Sequence, residues 1–499
     1  MAFPTAAMLL AVAAIAGETG IVTPPAPSKP QIHGAKVHGV RPGHPLLYRI
    51  PATGVRPMHF SAKGLPAGLK LDPDTGIITG VVEKRGEYPV ELQARNSQGT
   101  AKRAWKIVAG DQIALTPPMG WSTWYMAYTK ISDRLVRDQA DAMVSKGLAD
   151  HGYAYIDIDD GWNMKPNSTD PVLGGPARDA SGNLLANRNF PDMKAMTDYV
   201  HSKGLKAGIY IGPGPTTCAG FEASYGHEEA DARQFARWGF DLLKYDLCSY
   251  GKMIKDRKNV EEEKKPYALM GGILKNLDRD MVFNLCQYGL ANVWEWGREV
   301  GGNFWRTAGD VGHAKEGSLW KSMSAYGFGQ AGMEKWAGPG GWNDPDNILI
   351  GRIMWNKELA PTPLTHDEQY TWVTLWSLMA SPLVIGGDLT TLDDFTLSLL
   401  TNDEVIDVDQ DVSGKQAAPV SRSGELEVWA KDLADESKAV GLFNRGEEDS
   451  EITVRWADLG ITGKQMVRDL WRQKNLGKYS GEFRMKVNCH GAAMLTIHH

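Results

Sequence analysis

Three short apolar runs in this 499-residue chain each end in a carboxylate: Tyr153-Ala-Tyr-Ile-Asp-Ile-Asp159-Asp160, Asp241-Leu-Leu-Lys244-Tyr-Asp246 and Asn303-Phe-Trp-Arg306-Thr-Ala-Gly-Asp310. An ionised group at the end of a buried strand must be paired, solvated or used, because desolvating it alone costs several kcal/mol. One such acid is as readily a helix cap or a salt-bridge partner. Three of them, with Lys244 two residues before Asp246 and Arg306 four before Asp310, point to chemistry. Two carboxylates facing one cavity from different strands are the equipment for cleaving glycosidic bonds. Lys244 falls on the same side of a strand as Asp246, so it is expected to hold that carboxyl ionised, as a nucleophile requires. Asp310 lies beyond a glycine on an irregular turn, where partial burial is expected to raise its pKa and suit it to carry a proton.

The elements that must position these acids follow from the pattern around them. From Thr116 to about Leu389, apolar runs of strand length alternate with helical segments, the signature of a parallel sheet with crossover helices. Strands are predicted to begin near Met119, Tyr153, Leu205, Asp241, Met281, Asn303, Gly341 and Pro382, which is the count for a (β/α)8 barrel. Helices are predicted over Asp133 to Lys146 and Glu228 to Trp238, and Thr365-His-Asp-Glu368 is a capping box opening a helix through Met379. In such a barrel the functional face lies at the C-terminal ends of the strands, where all three acid sites fall. The rival architecture, an open doubly wound sheet, would carry a Gly-rich turn after its first strand. The Gly-rich stretch Gly212 to Gly220 comes later, holds two prolines and lacks a phosphate-binding lysine.

Flanking segments divide the chain further. Residues 1–16 include the apolar run Ala6 to Ala16, too short for a mature membrane span and ending in a small-x-small pattern, and read as an export signal. Residues 17–35 are a Pro-rich linker expected to stay extended. Residues 36–110 alternate as an all-β module, 113–400 form the barrel, and 401–499 read as an antiparallel C-terminal β-sandwich. The charge run Lys255 to Lys265 is expected to be a solvated helical insertion near the barrel mouth.

Composition narrows the ligand. A net charge of -6 and a pI near 6.1 give no electrostatic footprint for nucleic acid, and no basic amphipathic stretch suggests a membrane surface. Small neutral ligands fit better, and some of the seventeen Trp would suit stacking against sugar rings. The twelve His show no metal-binding spacing in the barrel motifs, so no metal or cofactor is expected, and His201, His227 and His313 read as surface or core residues. Of the four Cys, Cys218 and Cys248 follow successive strand ends, where a bridge could form in an oxidising compartment or two reduced thiols could sit.

The barrel resembles glycoside hydrolase family 27, the α-galactosidases and α-N-acetylgalactosaminidases. The likeness is carried by Pro118-Met-Gly-Trp-Ser-Thr-Trp124, Ile158-Asp-Asp-Gly-Trp162, Gly208-Ile-Tyr210, Lys244-Tyr-Asp246, Trp305-Arg306 with Asp310, and Gly340-Gly-Trp-Asn-Asp-Pro-Asp346. What it implies is a retaining double displacement with Asp246 as nucleophile and Asp310 as general acid/base. Asp159 and Asp160 would hold the galactose O4 and O6 hydroxyls, Lys244 O3 and O4, and Arg306 O2 and O3, with Trp124 stacking beside Tyr210 and Asp346. The resemblance also implies a Cys218–Cys248 disulfide. Gly161 stands in place of a family cysteine, so one family disulfide is absent, and Asn347 stands where animal enzymes have Met. In Cys286-Gln287-Tyr288-Gly289, Gln287 is the candidate contact for the 2-hydroxyl, and its size should exclude an acetamido group. The implied activity is hydrolysis of terminal α-galactosides. Its near rival is β-L-arabinopyranosidase, a weaker one is an isomalto-dextranase-like activity, and a non-catalytic sugar-binding barrel would not need both Asp246 and Asp310. Gly64 to Gly80 resembles the immunoglobulin-like domains appended to secreted bacterial enzymes, a spacer by its simplest reading.

Overall fold

The structure is a computed structural model that describes residues 20–312 and 318–499. The export run of residues 1–16 and His313 lie outside the described residues. Eight parallel strands form the central sheet: Met119–Ser122, Tyr155–Ile158, Lys206–Ile211, Leu242–Asp246, Val282–Cys286, Phe304–Arg306, Trp342–Asp344 and Leu383–Ile385, called strands 1 to 8. They neighbour one another in chain order, and strand 8 pairs with strand 1. The ring closes just past strand 7, where Ile348 N–H donates to Val384 O at 2.8 Å and Gly386 N–H donates to Ile348 O at 2.9 Å. Every strand begins within two residues of its expected start. Apolar composition on both faces explains this legibility, because a strand buried on both sides reads as a continuous apolar run.

The crossover helices form by the expected devices. Ser132 caps Asp133–Ser145 by accepting from Leu135 N–H, and Val136, Ala140 and Met143 are buried on one face. Thr365 and Glu368 make a reciprocal capping box at His366–Leu378. That helix is buried from Glu368 to Leu378 with almost no polar face, as a helix enclosed on all sides must be. One side of it covers the barrel: Trp376 is fully buried and its Nε1–H donates to Asp346 O at 2.8 Å. The other side meets the C-terminal domain, where Trp471 Nε1–H donates to Thr374 Oγ1 at 2.9 Å and Thr371 Oγ1–H donates to His490 O at 2.6 Å.

The C-terminal domain is a sandwich of a six-stranded antiparallel sheet against the pair Ser450–Arg455 and Glu482–Val487, closed over Val440, Leu442, Ile452, Val454 and Trp456. The N-terminal module is built on the long hairpin Gly86–Asn96 and Gly99–Ala109, whose alternation buries Val90, Leu92, Ala94, Trp105 and Ile107. Its first strand, Gln31–Ile32, falls inside the segment read as linker. Nor is the Pro-rich stretch wholly free: Tyr370 O–H donates to Gly20 O at 2.9 Å, and Asn402 Nδ2–H donates to Thr23 Oγ1 at 3.1 Å. The module sits under the barrel, at the N-terminal ends of the strands. Arg41 reaches from it to Asp280 at 2.5 Å, and Arg49 and Arg56 both meet Asp150.

The charge run is mostly solvated as expected, with one exception. It opens the helix Val260–Lys275, capped by Asn259, but Glu263 is fully buried and pairs with Arg257 Nε at 2.5 Å instead of facing solvent. Because Trp376 both fills the core and holds the backbone at Asp346, Trp376→Ala is expected to destabilise the protein by about 3–5 kcal/mol. Chemical denaturation followed by fluorescence and far-UV circular dichroism checks this.

Candidate active site

At the C-terminal ends of the strands lies a cavity of about 320 Å³ lined by Trp124, Tyr125, Asp159, Tyr210, Cys218, Ala219, Lys244, Asp246, Tyr288, Arg306, Asp310 and Asp346. Eight of the ten positions singled out for catalysis or sugar contact in the sequence line it. Asp246 is the last residue of strand 4 and Arg306 the last of strand 6, so each side chain leaves the sheet at its rim. Asp159 follows strand 2, with its backbone N–H donated to Thr123 Oγ1 at 2.9 Å.

Charge inside the cavity is arranged in two groups. Lys244 Nζ lies 2.6 Å from Asp159 Oδ2, and Asp159 is 2 % exposed. Arg306 Nη1 lies 3.1 Å from Asp346 Oδ1 and 3.2 Å from Asp310 Oδ1, while its Nη2–H donates to Ala308 O and Gly309 O. Asp346 is gripped from all sides, by Tyr125 O–H at 2.6 Å and Val311 N–H at 2.8 Å, and its backbone N–H donates to Asp344 Oδ1 at 2.9 Å. It sits at φ 115°, a conformation that costs a non-glycine residue of order 1–3 kcal/mol and that dense surroundings such as these must enforce.

Asp246 differs from the expectation in its electrostatics. Lys244 makes its short contact with Asp159, and burial outweighs the lysine's field, so the Asp246 pKa is pushed up to about 6. The group that holds the carboxylate most directly is Tyr288, whose O–H donates to Asp246 Oδ1 at 2.5 Å; Tyr210 O–H donates to Oδ2 at 3.1 Å. Both phenols are pushed up in pKa, chiefly by burial, and remain donors.

Gln287 is the residue the structure places elsewhere. Strand 5 ends at Cys286, and Gln287 is fully buried behind the cavity with its Nε2–H donated to Glu263 Oε2 at 3.0 Å. Asn284 and Cys286 face the barrel interior, so alternation along strand 5 turns Gln287 outward to the helix that carries Glu263, and Gly289 N–H donates to Arg306 O at 2.9 Å where the chain turns at Tyr288 (φ 64°). Tyr288 faces the cavity in its place. Alternation from Asn284 and Cys286 was the signal that could have found it. Asp160 also lies just behind the wall, 1 % exposed, where its Oδ2 accepts from Ala219 N–H at 2.8 Å and burial pushes its pKa up to about 7. The barrel interior below holds two further acids that the sequence reading passed over, Asp157 and Asp344. Burial raises both, Asp344 to about 6.

Cys218 and Cys248 form a disulfide beside Asp246, with Cα atoms 4.8 Å apart. Cys286 is a buried free thiol beside Asp246, and Cys489 is also free. Trp124 is the tryptophan that lines the cavity; Trp121, Trp162, Trp305 and Trp342 are fully buried in the fold.

A barrel with paired acids at its mouth and a β-sandwich behind it defines a glycoside hydrolase. Comparison with known families agrees: the alpha galactosidase A family model matches residues 116–411, its C-terminal beta-sandwich model 423–497, and an Ig-domain model 30–108. The chain is 37% identical over 423 residues to the alpha-galactosidase of Cyamopsis tetragonoloba, covering 84% of this chain and 93% of that one. A solved structure from Bacteroides fragilis superposes with a TM-score of 0.87 at 35% identity, covering 96% of this chain and 100% of that one. The β-L-arabinopyranosidase of Geobacillus stearothermophilus superposes with a TM-score of 0.67 at 25% identity, over 77% of this chain and 98% of that one. The chain belongs to the melibiase family, the α-galactosidases of glycoside hydrolase family 27.

Asp160, Asp246 and Asp344 bind protons more tightly in the folded chain than in the unfolded one, where each would titrate near 3.8. Their stabilising contribution is therefore complete below about pH 4 and is lost as pH rises through about 6 to 7. Asp241 and Asp388 have the opposite sign, their pKa values lowered by hydrogen bonds and, for Asp241, by Arg279. Thermal unfolding should accordingly give a higher midpoint near about pH 5 than near about pH 7.5, and Asp160→Asn should flatten that slope.

Proposed function

We propose that the protein is a retaining, exo-acting α-galactosidase in which Asp246 attacks the anomeric carbon and Asp310 protonates the leaving oxygen. The observation that carries this reading is the asymmetry of the two acids. Asp246 is buried at the cavity floor and accepts two phenolic hydrogen bonds, whereas Asp310 has a side chain 27 % exposed on a turn at the rim, held by Arg306. The buried, twice-donated carboxylate is oriented for in-line attack and cannot easily exchange protons with water. The rim carboxyl can exchange them in both half-reactions, first giving its proton to the aglycone oxygen and then taking one from the incoming water. In the first step the Asp246–C1 bond forms as the glycosidic C1–O bond breaks; in the second, water replaces Asp246 and the configuration is restored.

Terminal galactose is the favoured sugar because the carboxylate of Asp159 at the wall is short, and Asp160 is withdrawn behind it, which leaves room for the hydroxymethyl arm that L-arabinopyranose lacks. Lys244 and Asp159 present a paired donor and acceptor to ring hydroxyls, and Arg306 and Asp346 present another. Tyr288 takes the wall position assigned to Gln287 and supports exclusion of a 2-acetamido group by its bulk. Export of the chain belongs to the same reading: the apolar run Ala6 to Ala16 and the Cys218–Cys248 bridge both suit an oxidising compartment.

Asp246→Ala and Asp310→Ala should each reduce kcat by about a thousandfold or more. Azide should rescue them differently, giving the β-galactosyl azide from the nucleophile variant and the α-galactosyl azide from the acid/base variant, as product NMR would show. Tyr288→Phe should move the acidic limb of the kcat/KM profile upward by about one pH unit, since it removes a hydrogen bond to the ionised form of Asp246. Side-by-side kcat/KM on p-nitrophenyl α-galactoside and β-L-arabinopyranoside should favour the galactoside at least about tenfold, or about 1.4 kcal/mol. A preference for the arabinoside would overturn the reading of the wall at O6.

A further inference from the structure

On the opposite side of the barrel from the catalytic cavity, three parts of the chain converge on one small polar cluster. His33 comes from the N-terminal module, just past its first strand; His151 ends a short helix before strand 2; Asp403 opens the helix Asp403–Asp409 that leaves the barrel for the sandwich. His33 Nδ1 lies 3.1 Å and His151 Nδ1 2.8 Å from the same atom, Asp403 Oδ1, and the three donor atoms all lie within 4.8 Å of one another. The two imidazoles stack with ring centroids 5.4 Å apart and planes 20° from parallel, so both Nδ1 atoms face one point. Both rings are only 7 % exposed, while the Asp403 side chain at 17 % is the open side of the cluster.

We propose that His33, His151 and Asp403 form a structural site for a divalent transition metal, Zn²⁺ being the best match, which staples the N-terminal module to the barrel. Tetrahedral bonds of about 2.0 to 2.2 Å set ligand atoms about 3.3 Å apart, so the Nδ1···Oδ1 separations of 3.1 and 2.8 Å need to open by a few tenths of an ångström while the two Nδ1 atoms, within 4.8 Å of each other, settle to the same spacing. Two imidazoles and one carboxylate are a ligand set that Zn²⁺ takes readily, with the fourth position left to water from the Asp403 side. The outer shell is also in place. His33 Nε2 lies 2.7 Å from Thr53 Oγ1, which fixes the ring and can accept the Nε2–H proton that a metal-bound Nδ1 requires. Binding to neutral rings then needs only a tautomer change at each Nδ1, with no net proton loss, and burial helped by His151 and Arg103 keeps His33 neutral, with its pKa down to about 3. Arg103, the cation beside the cluster, is paired across the same interface with Asp407 at 3.1 Å, and its Nη1–H donates to Ile32 O at 3.0 Å.

This site is independent of the glycosidase chemistry, and its test does not use activity as the deciding signal. Untagged full-length protein would be stripped with a chelator, dialysed, and titrated with Zn²⁺ and, separately, with Co²⁺ as a spectroscopic probe. The site predicts one tightly held ion per chain by elemental analysis, a tetrahedral Co²⁺ absorption band, and a higher thermal midpoint with Zn²⁺ than without, since an ion bound only by the folded chain stabilises it. His33→Ala should lose the ion, the band and the thermal shift together. His151→Gln and Asp403→Asn, which keep side-chain size, should do the same if His33→Ala fails to fold. Cys489→Ser should change none of these, which separates the site from a second cluster of metal-binding residue types, Glu447, Cys489 and His490, while a third, Cys218, Asp246 and Cys248, has its thiols in the disulfide. Wild-type protein that retains no stoichiometric ion, or variants that bind Zn²⁺ and Co²⁺ as the wild type does, would overturn the proposal.

Discussion

Two cations stand against four carboxylates lining the mouth of this barrel, and the way Lys244 and Arg306 are committed to Asp159, Asp310 and Asp346 but not to Asp246 governs the site. Each cation is committed to acids that bind or orient: Lys244 to Asp159, Arg306 to Asp346 and Asp310. Among the described residues Asp246 makes no ion pair and is held by phenols. Hydrogen bonds from Tyr288 and Tyr210 stabilise a carboxylate without neutralising it, which leaves its charge available for attack. Burial raises its pKa to about 6, so Asp246 is ionised near neutrality and becomes protonated not far below it.

The same constraint reaches into the fold. A cup of buried acids costs stability, and the surrounding layer offsets that cost by over-determining the geometry. Trp376 bonds the Asp346 backbone, Tyr125 and Val311 hold its side chain, and the ring is closed beneath by Ile348 and strand 8. The helix carrying Trp376 is itself wedged between barrel and sandwich. The C-terminal domain thereby contributes to the site without lining the cavity, by fixing the helix that fixes Asp346.

Much of this was legible in the chain itself, and the reasons are physical. Strands buried on both faces leave long apolar runs, so all eight barrel strands could be placed, and strand-terminal acids at their ends marked the rim. The capping box at Thr365 and Glu368 marked its helix because its two hydrogen bonds are local. What could not be read were features set by long-range packing. Gln287 was placed at the wall by resemblance, whereas strand alternation turns it outward, and its partner Glu263 comes from a helix that looked solvated. Lys244 is close in sequence to Asp246, yet the nearest carboxylate in space belongs to a neighbouring part of the ring. His33 lay in a segment read as linker, and only docking of the module brings it to His151 and Asp403.

The claim on which the rest depends is that Asp246 forms a covalent bond to the sugar. The most direct measurement is to inactivate the enzyme with a fluorinated galactosyl fluoride that accumulates the glycosyl-enzyme, digest it, and locate the added mass by tandem mass spectrometry. The account predicts one sugar per chain, attached at Asp246. A label on Asp310, or on neither acid while the substrate is turned over with inversion at the anomeric carbon, would contradict it.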